Sequence, residues 1–202
     1  AAIRRMAIGK APGPDGLGGE FYKEFEDLVA GDLLKMLREA LAAGRYHKGL
    51  RLGHIIVLYK KGDPREIRNY RPITLLQVDY KIVSKILVAR LNEVMDEIVS
   101  SPQLGFVPGR VITEATHMVK LAQAIADEQD LEGVLVAADW EKAFDRVSWD
   151  YLLDAVDALG FGENFQAWIG MMYNSHFAPT RQVKANGELS EPFVIHSGTP
   201  QG

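Results

Sequence analysis

Residues 134–152 read VLVAADWEKAFDRVSWDYL, and the use made of Asp139 decides the fold. Five small or aliphatic residues run straight into that acid. In an extended strand, side chains alternate between faces, so Leu135, Ala137 and Asp139 fall on the same side. Charge returns at once with Glu141, Lys142, Asp145 and Arg146. A carboxylate at the end of a buried strand has two uses. It can cap the turn that begins at Trp140 by accepting a backbone N–H, although Lys142 is no capping-box partner. It can instead hold a cation. Magnesium is bound by one or two carboxylates together with substrate phosphate oxygens, so a strand-end acid beside small residues suits that role. Asp145, close to Lys142 and Arg146, is assigned to a structural ion pair.

Outward from this stretch, the hydrophobic spacing predicts a helix from Glu20 to Ala43, where Phe21, Phe25, Leu28, Leu33, Leu37 and Leu41 recur and Gly44 provides a stop. His54 to Tyr59 reads as a short buried strand, followed by a Gly62-Asp63-Pro64 turn and an extended return through Arg71-Pro72. Further helices are predicted over about 78–99, 113–127, 149–159 and 163–174. Asn186-Gly187 between two alternating runs signals a hairpin. Helices interleaved with few strands give an α+β fold: a small, mostly antiparallel sheet backed by helices.

Composition narrows the chemistry. The chain has 202 residues and no cysteine, which rules out disulfides, cysteine-bound zinc and thiol catalysis. Its five histidines are scattered without ligand-like spacing. No apolar run approaches the length needed to span a bilayer. The net charge of −4 conceals a split: 17 basic and 10 acidic residues in 1–91, against 6 and 17 in 92–202. Residues 45–90 alone hold 11 basic and 3 acidic residues. That imbalance suits either a polyanionic partner or a solvated surface.

The segment ADWEKAFDRVSW resembles the first palm motif of reverse transcriptases. Other blocks agree with it in order: KAPGPDGLGGEFYK (10–23), NYRPITLLQVDYKIVSKILVARL (69–91), QLGFVPGR (103–110) and GTPQG (198–202). Together they are similar to successive blocks of the non-LTR, LINE-type retrotransposon enzymes. The resemblance implies a right-hand polymerase: fingers mostly in 1–100 and part of 151–202, a partial palm centred on 101–150, and no thumb. The whole of 1–202 is then one truncated reverse transcriptase domain. Group II intron enzymes share the general plan, and a non-catalytic nucleic-acid-binding remnant of a truncated element is a reading of another class.

The resemblance assigns roles position by position. Asp139 corresponds to the catalytic carboxylate that binds two magnesium ions, with the backbone carbonyl of Trp140 as a further ligand. Phe144 corresponds to the aromatic gate beneath the incoming sugar, which would exclude a 2′-hydroxyl; otherwise it is a core phenylalanine. Arg71 corresponds to the fingers arginine that grips the triphosphate, a task suited to the fixed fork of guanidinium. Lys60 and Lys61 are further phosphate candidates or solvated hairpin charges. Gln201 corresponds to the glutamine beside the nucleotide and template base, and Gly198 and Gly202 would let backbone approach the substrate closely. The implied partners are an RNA template, a DNA primer and dNTP, acting inside the cell, in the nucleus for a genomic element. The departure from the family pattern is that no adjacent pair of aspartates occurs anywhere in the sequence. Two-metal phosphoryl transfer needs more than one carboxylate. The chain by itself is therefore expected to be inactive.

Overall fold

Ile55, Ile56 and Val57, three β-branched residues in a row, form the middle of the central strand, as their preference for a pleated surface dictates. This strand, β1 (Leu52–Tyr59), pairs antiparallel with β2 (Tyr70–Leu76), from Gly53 opposite Leu76 to Tyr59 opposite Tyr70. Along its other edge β1 runs parallel to β3 (Thr180–Ala185). Strand β3 in turn pairs antiparallel with two short strands, β4 (Glu188–Leu189) and β5 (Phe193–Val194). The order is β2-β1-β3-β4, with β5 also on β3. The sheet is thus small and mixed, antiparallel in every pairing except β1 with β3. Between β3 and β4, Asn186 and Gly187 both take positive φ (52° and 88°), the geometry that the hairpin signal demanded. The structure is a computed structural model and describes residues 1–200.

The chain divides into two compact units, one of residues 1–86 with 142–202 and one of residues 87–141. In the first, the predicted helix from Glu20 is two: α1 (Gly19–Glu24) and α2 (Glu26–Ala43). They part at Phe25, whose backbone leaves the helical region while its N–H still bonds to the Phe21 carbonyl. Gly44 ends α2 in a left-handed conformation, and its N–H satisfies the carbonyls of Ala40 and Leu41. The one-turn α3 (Lys48–Arg51) leads into β1, and α4 (Val78–Asn92) follows β2. Ile3, Met6, Tyr22, Val78 and Ile82 are buried together, so the N-terminal segment and α1 are packed on the first half of α4. Burying an aliphatic side chain such as Ile82 contributes about 1.5–3 kcal/mol.

Residues 87–141 contain the end of α4, then α5 (Met95–Ile98) and α6 (Thr113–Glu128). The helix predicted to reach Val99 stops earlier because Glu93 and Val94 donate to carbonyls three residues back, a tightening typical of helix ends. Arg110 organises the loop before α6. Its guanidinium donates to Asp96 Oδ1 (2.8 Å) and to the carbonyls of Val99 (2.8 Å), Ser100 (2.7 Å) and Gln103 (2.7 Å).

The strand expected to end at Asp139 is not formed. Val134, Leu135 and Val136 are 90, 75 and 80% exposed, and no backbone hydrogen bond among the described residues engages 132–140. An isolated strand leaves its N–H and C=O groups unpaired, and no neighbouring strand runs beside this segment among the described residues.

The first unit closes with α7 (Trp149–Ala158) and α8 (Glu163–Met172). Tyr46, 1% exposed, sets its ring against Tyr80 of α4 (5.9 Å) and Trp168 of α8 (6.4 Å). No helix among the described residues is long and apolar enough to cross a membrane.

Candidate functional site

The tip of the β1–β2 hairpin carries the exposed cations Lys60, Lys61, Arg65, Arg68 and Arg71. Its backbone is held from within. Tyr59 donates its hydroxyl to the Gly62 carbonyl, Tyr70 to that of Pro64, and the two rings pack 5.6 Å apart. Asn69 Nδ2 donates to the Asp63 carbonyl, and Lys60 N–H to that of Asn69. Arg65 pairs with Asp63 and Arg68 with Glu66. Arg71 lies opposite Leu58 in the ladder, on the face of β2 away from its neighbour Pro72.

The second group of expected site residues meets across a long stretch of sequence. Residues 141–146 form turns, not the start of a helix, and Lys142 takes a positive φ of 52°. The helix cap belongs to Ser148, whose Oγ accepts from Tyr151 N–H at the start of α7. Onto this turn folds the segment 197–199. Gly198 N–H donates to the Val147 carbonyl (2.8 Å), and Thr199 N–H to the Phe144 carbonyl (2.9 Å). Ser197 Oγ donates to the Asp145 carbonyl (3.4 Å), and the Trp149 indole N–H donates to the Gly198 carbonyl (2.9 Å). Gly198 has a φ of 85°, and a Cβ there would stand 2.6 Å from the Asp145 carbonyl oxygen. Phe144 itself is half exposed, which does not fit a core residue. The ion pair expected of Asp145 is absent: among the described residues its carboxylate joins no cation, and the residue contributes through its backbone. Gln201 and Gly202 lie outside the described residues.

Between hairpin and turn is a cavity of about 180 Å³. Pro72 and Thr74 of β2, Tyr80, Asp145, Trp149, and Gly198 to Pro200 are among its walls. The neighbour of Arg71 and the neighbour of Phe144 therefore face one space. Arg181 of β3 also borders it, only 3% exposed. Its Nη1 donates to the carbonyls of Arg51 (2.8 Å) and Thr180 (2.9 Å), while Nε has no partner among the described residues. Burial lowers the pKa of this guanidinium, and Tyr80 and Tyr173 oppose that shift. Gly53 makes room for it: a Cβ there would lie 3.2 Å from Arg181 Cδ and 3.0 Å from Leu76. Nothing in the local sequence around Arg181 signals this burial, nor the Trp149 contact.

Asp139 and Trp140 belong to the 87–141 unit. Asp139 is exposed, and among the described residues its carboxylate engages no hydrogen bond or ion pair; Trp140 is 84% exposed. Among the described residues no group of three or more acids or histidines could hold a metal ion. One carboxylate and one carbonyl fit part of a magnesium shell whose remaining positions go to substrate oxygens and water.

The reverse transcriptase (RNA-dependent DNA polymerase) family model matches residues 59–202. All of the chain aligns with an uncharacterized 149 kDa protein of transposon TX1 from Xenopus laevis at 37% identity, covering 15% of that protein. It aligns over its whole length with a probable RNA-directed DNA polymerase from transposon BS of Drosophila melanogaster at 29% identity. A third alignment, over 99% of the chain at 28% identity, is with the RNA-directed DNA polymerase from mobile element jockey of the same species. In each of the last two the chain spans 22% of the relative's length.

Proposed function

Because the chain belongs to the reverse transcriptase (RNA-dependent DNA polymerase) family, we propose that it is the nucleotide-handling part of an RNA-directed DNA polymerase from a non-LTR, LINE-type retrotransposon. On this reading it adopts the right-hand polymerase plan, with fingers mostly in 1–100 and part of 151–202 and the palm centred on 101–150. The observation that carries the reading is the meeting of two of the family's sequence blocks: the 197–199 segment of GTPQG is hydrogen-bonded onto the 144–149 stretch of the palm-motif block.

In the proposed reaction a primer 3′-hydroxyl attacks the α-phosphate of a dNTP on an RNA template, and pyrophosphate leaves. The protein positions the reactants and offsets developing charge. Arg71 grips the triphosphate with its paired N–H donors, and Lys60 adds a point charge from the same hairpin. The surrounding basic hairpin draws the template backbone through its phosphates, so binding weakens with salt. Phe144 closes the space beside the sugar C2′ and so prefers deoxynucleotides. The role expected of Gln201, beside the nucleotide and template base, falls outside the described residues. Asp139 and the Trp140 carbonyl would hold Mg2+, which when bound neutralises charge on the attacking and leaving oxygens.

The test is Phe144→Val in a polymerase that carries this segment, scored by rNTP against dNTP incorporation on an RNA template. Relative use of rNTP should rise tenfold or more, by our estimate ~1.4 kcal/mol of lost discrimination. The stability cost should stay near about 1 kcal/mol or below, because half of the ring is already in water. Unchanged sugar choice with a lowered melting temperature would refute the gate.

A further inference from the structure

We propose that Trp149 is a positioning residue for nucleotide selection: through its indole N–H it fixes the 197–199 segment against the turn that carries Phe144. The inference rests on the reading of Phe144 as the sugar gate. Of the four hydrogen bonds that join the two segments among the described residues, two are between backbone groups and one is a long bond from Ser197. The remaining contact, from Trp149 Nε1 to the Gly198 carbonyl at 2.9 Å, comes from a rigid and buried side chain.

Everything around the indole restrains it. Trp149 is 4% exposed and is the first residue of α7, directly after the Ser148 cap, with the Tyr173 ring 6.2 Å away. An indole has one donor and only two side-chain torsions, so it holds its partner in one direction at little entropic cost. Its acceptor is the carbonyl of Gly198, the residue whose backbone lies against Asp145 too closely for any Cβ. One residue further on, Thr199 N–H bonds the carbonyl of Phe144 itself. A movement of the 197–199 segment is therefore passed to the gate by a single hydrogen bond. Trp149 and Gly198 also wall the cavity that Pro72 borders, so the same anchor sets its width. The residue touches no reacting atom in this account; it acts through Phe144 and the segment leading to Gln201.

Trp149→Phe keeps a buried aromatic ring and removes only the donor. In a polymerase carrying this segment, the KM for dNTP should rise about three- to tenfold, more than kcat falls, as expected for one lost hydrogen bond. Acceptance of rNTP relative to dNTP should rise with it. In the 202-residue chain, amide hydrogen exchange at Gly198 and Thr199 should accelerate by a similar factor while exchange along α7 stays unchanged. A purely structural tryptophan gives another pattern: a lower melting temperature, faster exchange throughout α7, and unaltered KM and sugar choice. That pattern overturns the inference. If Phe144→Val relaxes sugar choice and Trp149→Phe does not, the positioning role fails and the gate stands. If Phe144→Val leaves sugar choice unchanged, the gate fails and the role proposed for Trp149 falls with it, whatever the exchange rates show.

Discussion

Replacing Gly198 by alanine adds one methyl group where the chain has no room for it. The cost has two parts. At a φ of 85° an L-residue pays about 1–2 kcal/mol for the left-handed conformation. The new Cβ would also stand 2.6 Å from the Asp145 carbonyl oxygen, 2.9 Å from its carbonyl carbon and 2.9 Å from its Cα. These are backbone atoms that cannot swing aside. The segment must then withdraw, and the bonds from Gly198 and Thr199 to the 144–147 turn are stretched or lost, at roughly 0.5–1.5 kcal/mol each. Together the terms give about 2–5 kcal/mol. The assay is urea denaturation of the 202-residue chain followed by tryptophan fluorescence. With a slope of about 2 kcal/mol/M, the midpoint should fall by about 1–2.5 M. Gly44→Ala is the control, since Gly44 also has positive φ but its Cβ would meet nothing within 4 Å; it should cost only about 1–2 kcal/mol. A Gly198→Ala midpoint equal to that of Gly44→Ala would refute the steric part of the reasoning.

Two further perturbations test other parts of the fold. The hydroxyl of Tyr46 is buried without a partner among the described residues, so Tyr46→Phe removes an unsatisfied polar atom and should leave stability unchanged or raise it by up to about 1–2 kcal/mol in the same titration. Asp79, in the first turn of α4, has its carboxyl pushed up to about 6 by burial, with nearby Asp15 adding to the shift. Between about pH 4 and 6 the folded chain therefore keeps a proton that the unfolded chain has lost, so stability falls as pH rises through that window. Asp79→Asn should flatten this dependence and stabilise the chain at pH 7 by about 1–2 kcal/mol, reduced for the partial exposure of the group. Thermal unfolding at pH 4, 5, 6 and 7 reads both effects.

The helices were legible because their apolar residues recur at helical spacing, and the 186–187 turn because Asn-Gly accepts positive φ. The segment 134–139 shows where such reading stops. Its alternation satisfies every local requirement of a strand, but a strand exists only beside another that completes its hydrogen bonds, and local pattern does not reveal a partner. The cap was left open for a related reason: Asp139 and Ser148 are both good cap residues, and only the start of α7 at Trp149 gives the cap to Ser148. Gly198 was expected to let backbone approach the substrate; its backbone lies against that of Asp145, a contact the local sequence does not signal. The four bonds joining 144–149 to 197–199 were not legible, since backbone donors and acceptors are the same in every sequence. Arg181 was hidden because its burial depends on the absence of a side chain at Gly53, far away in the sequence.

The central claim is that Asp139 is the carboxylate through which this segment takes part in templated DNA synthesis. Asp139→Asn keeps size and hydrogen-bonding capacity and removes the charge. The measurement is the single-turnover rate of primer extension on an RNA template, by a polymerase carrying this segment, beside the exposed control Asp150→Asn. Asp139→Asn should slow extension by roughly a thousandfold or more, ~4 kcal/mol in the barrier, with Asp150→Asn within about tenfold of the parent. An Asp139→Asn rate within about tenfold of the parent would contradict it.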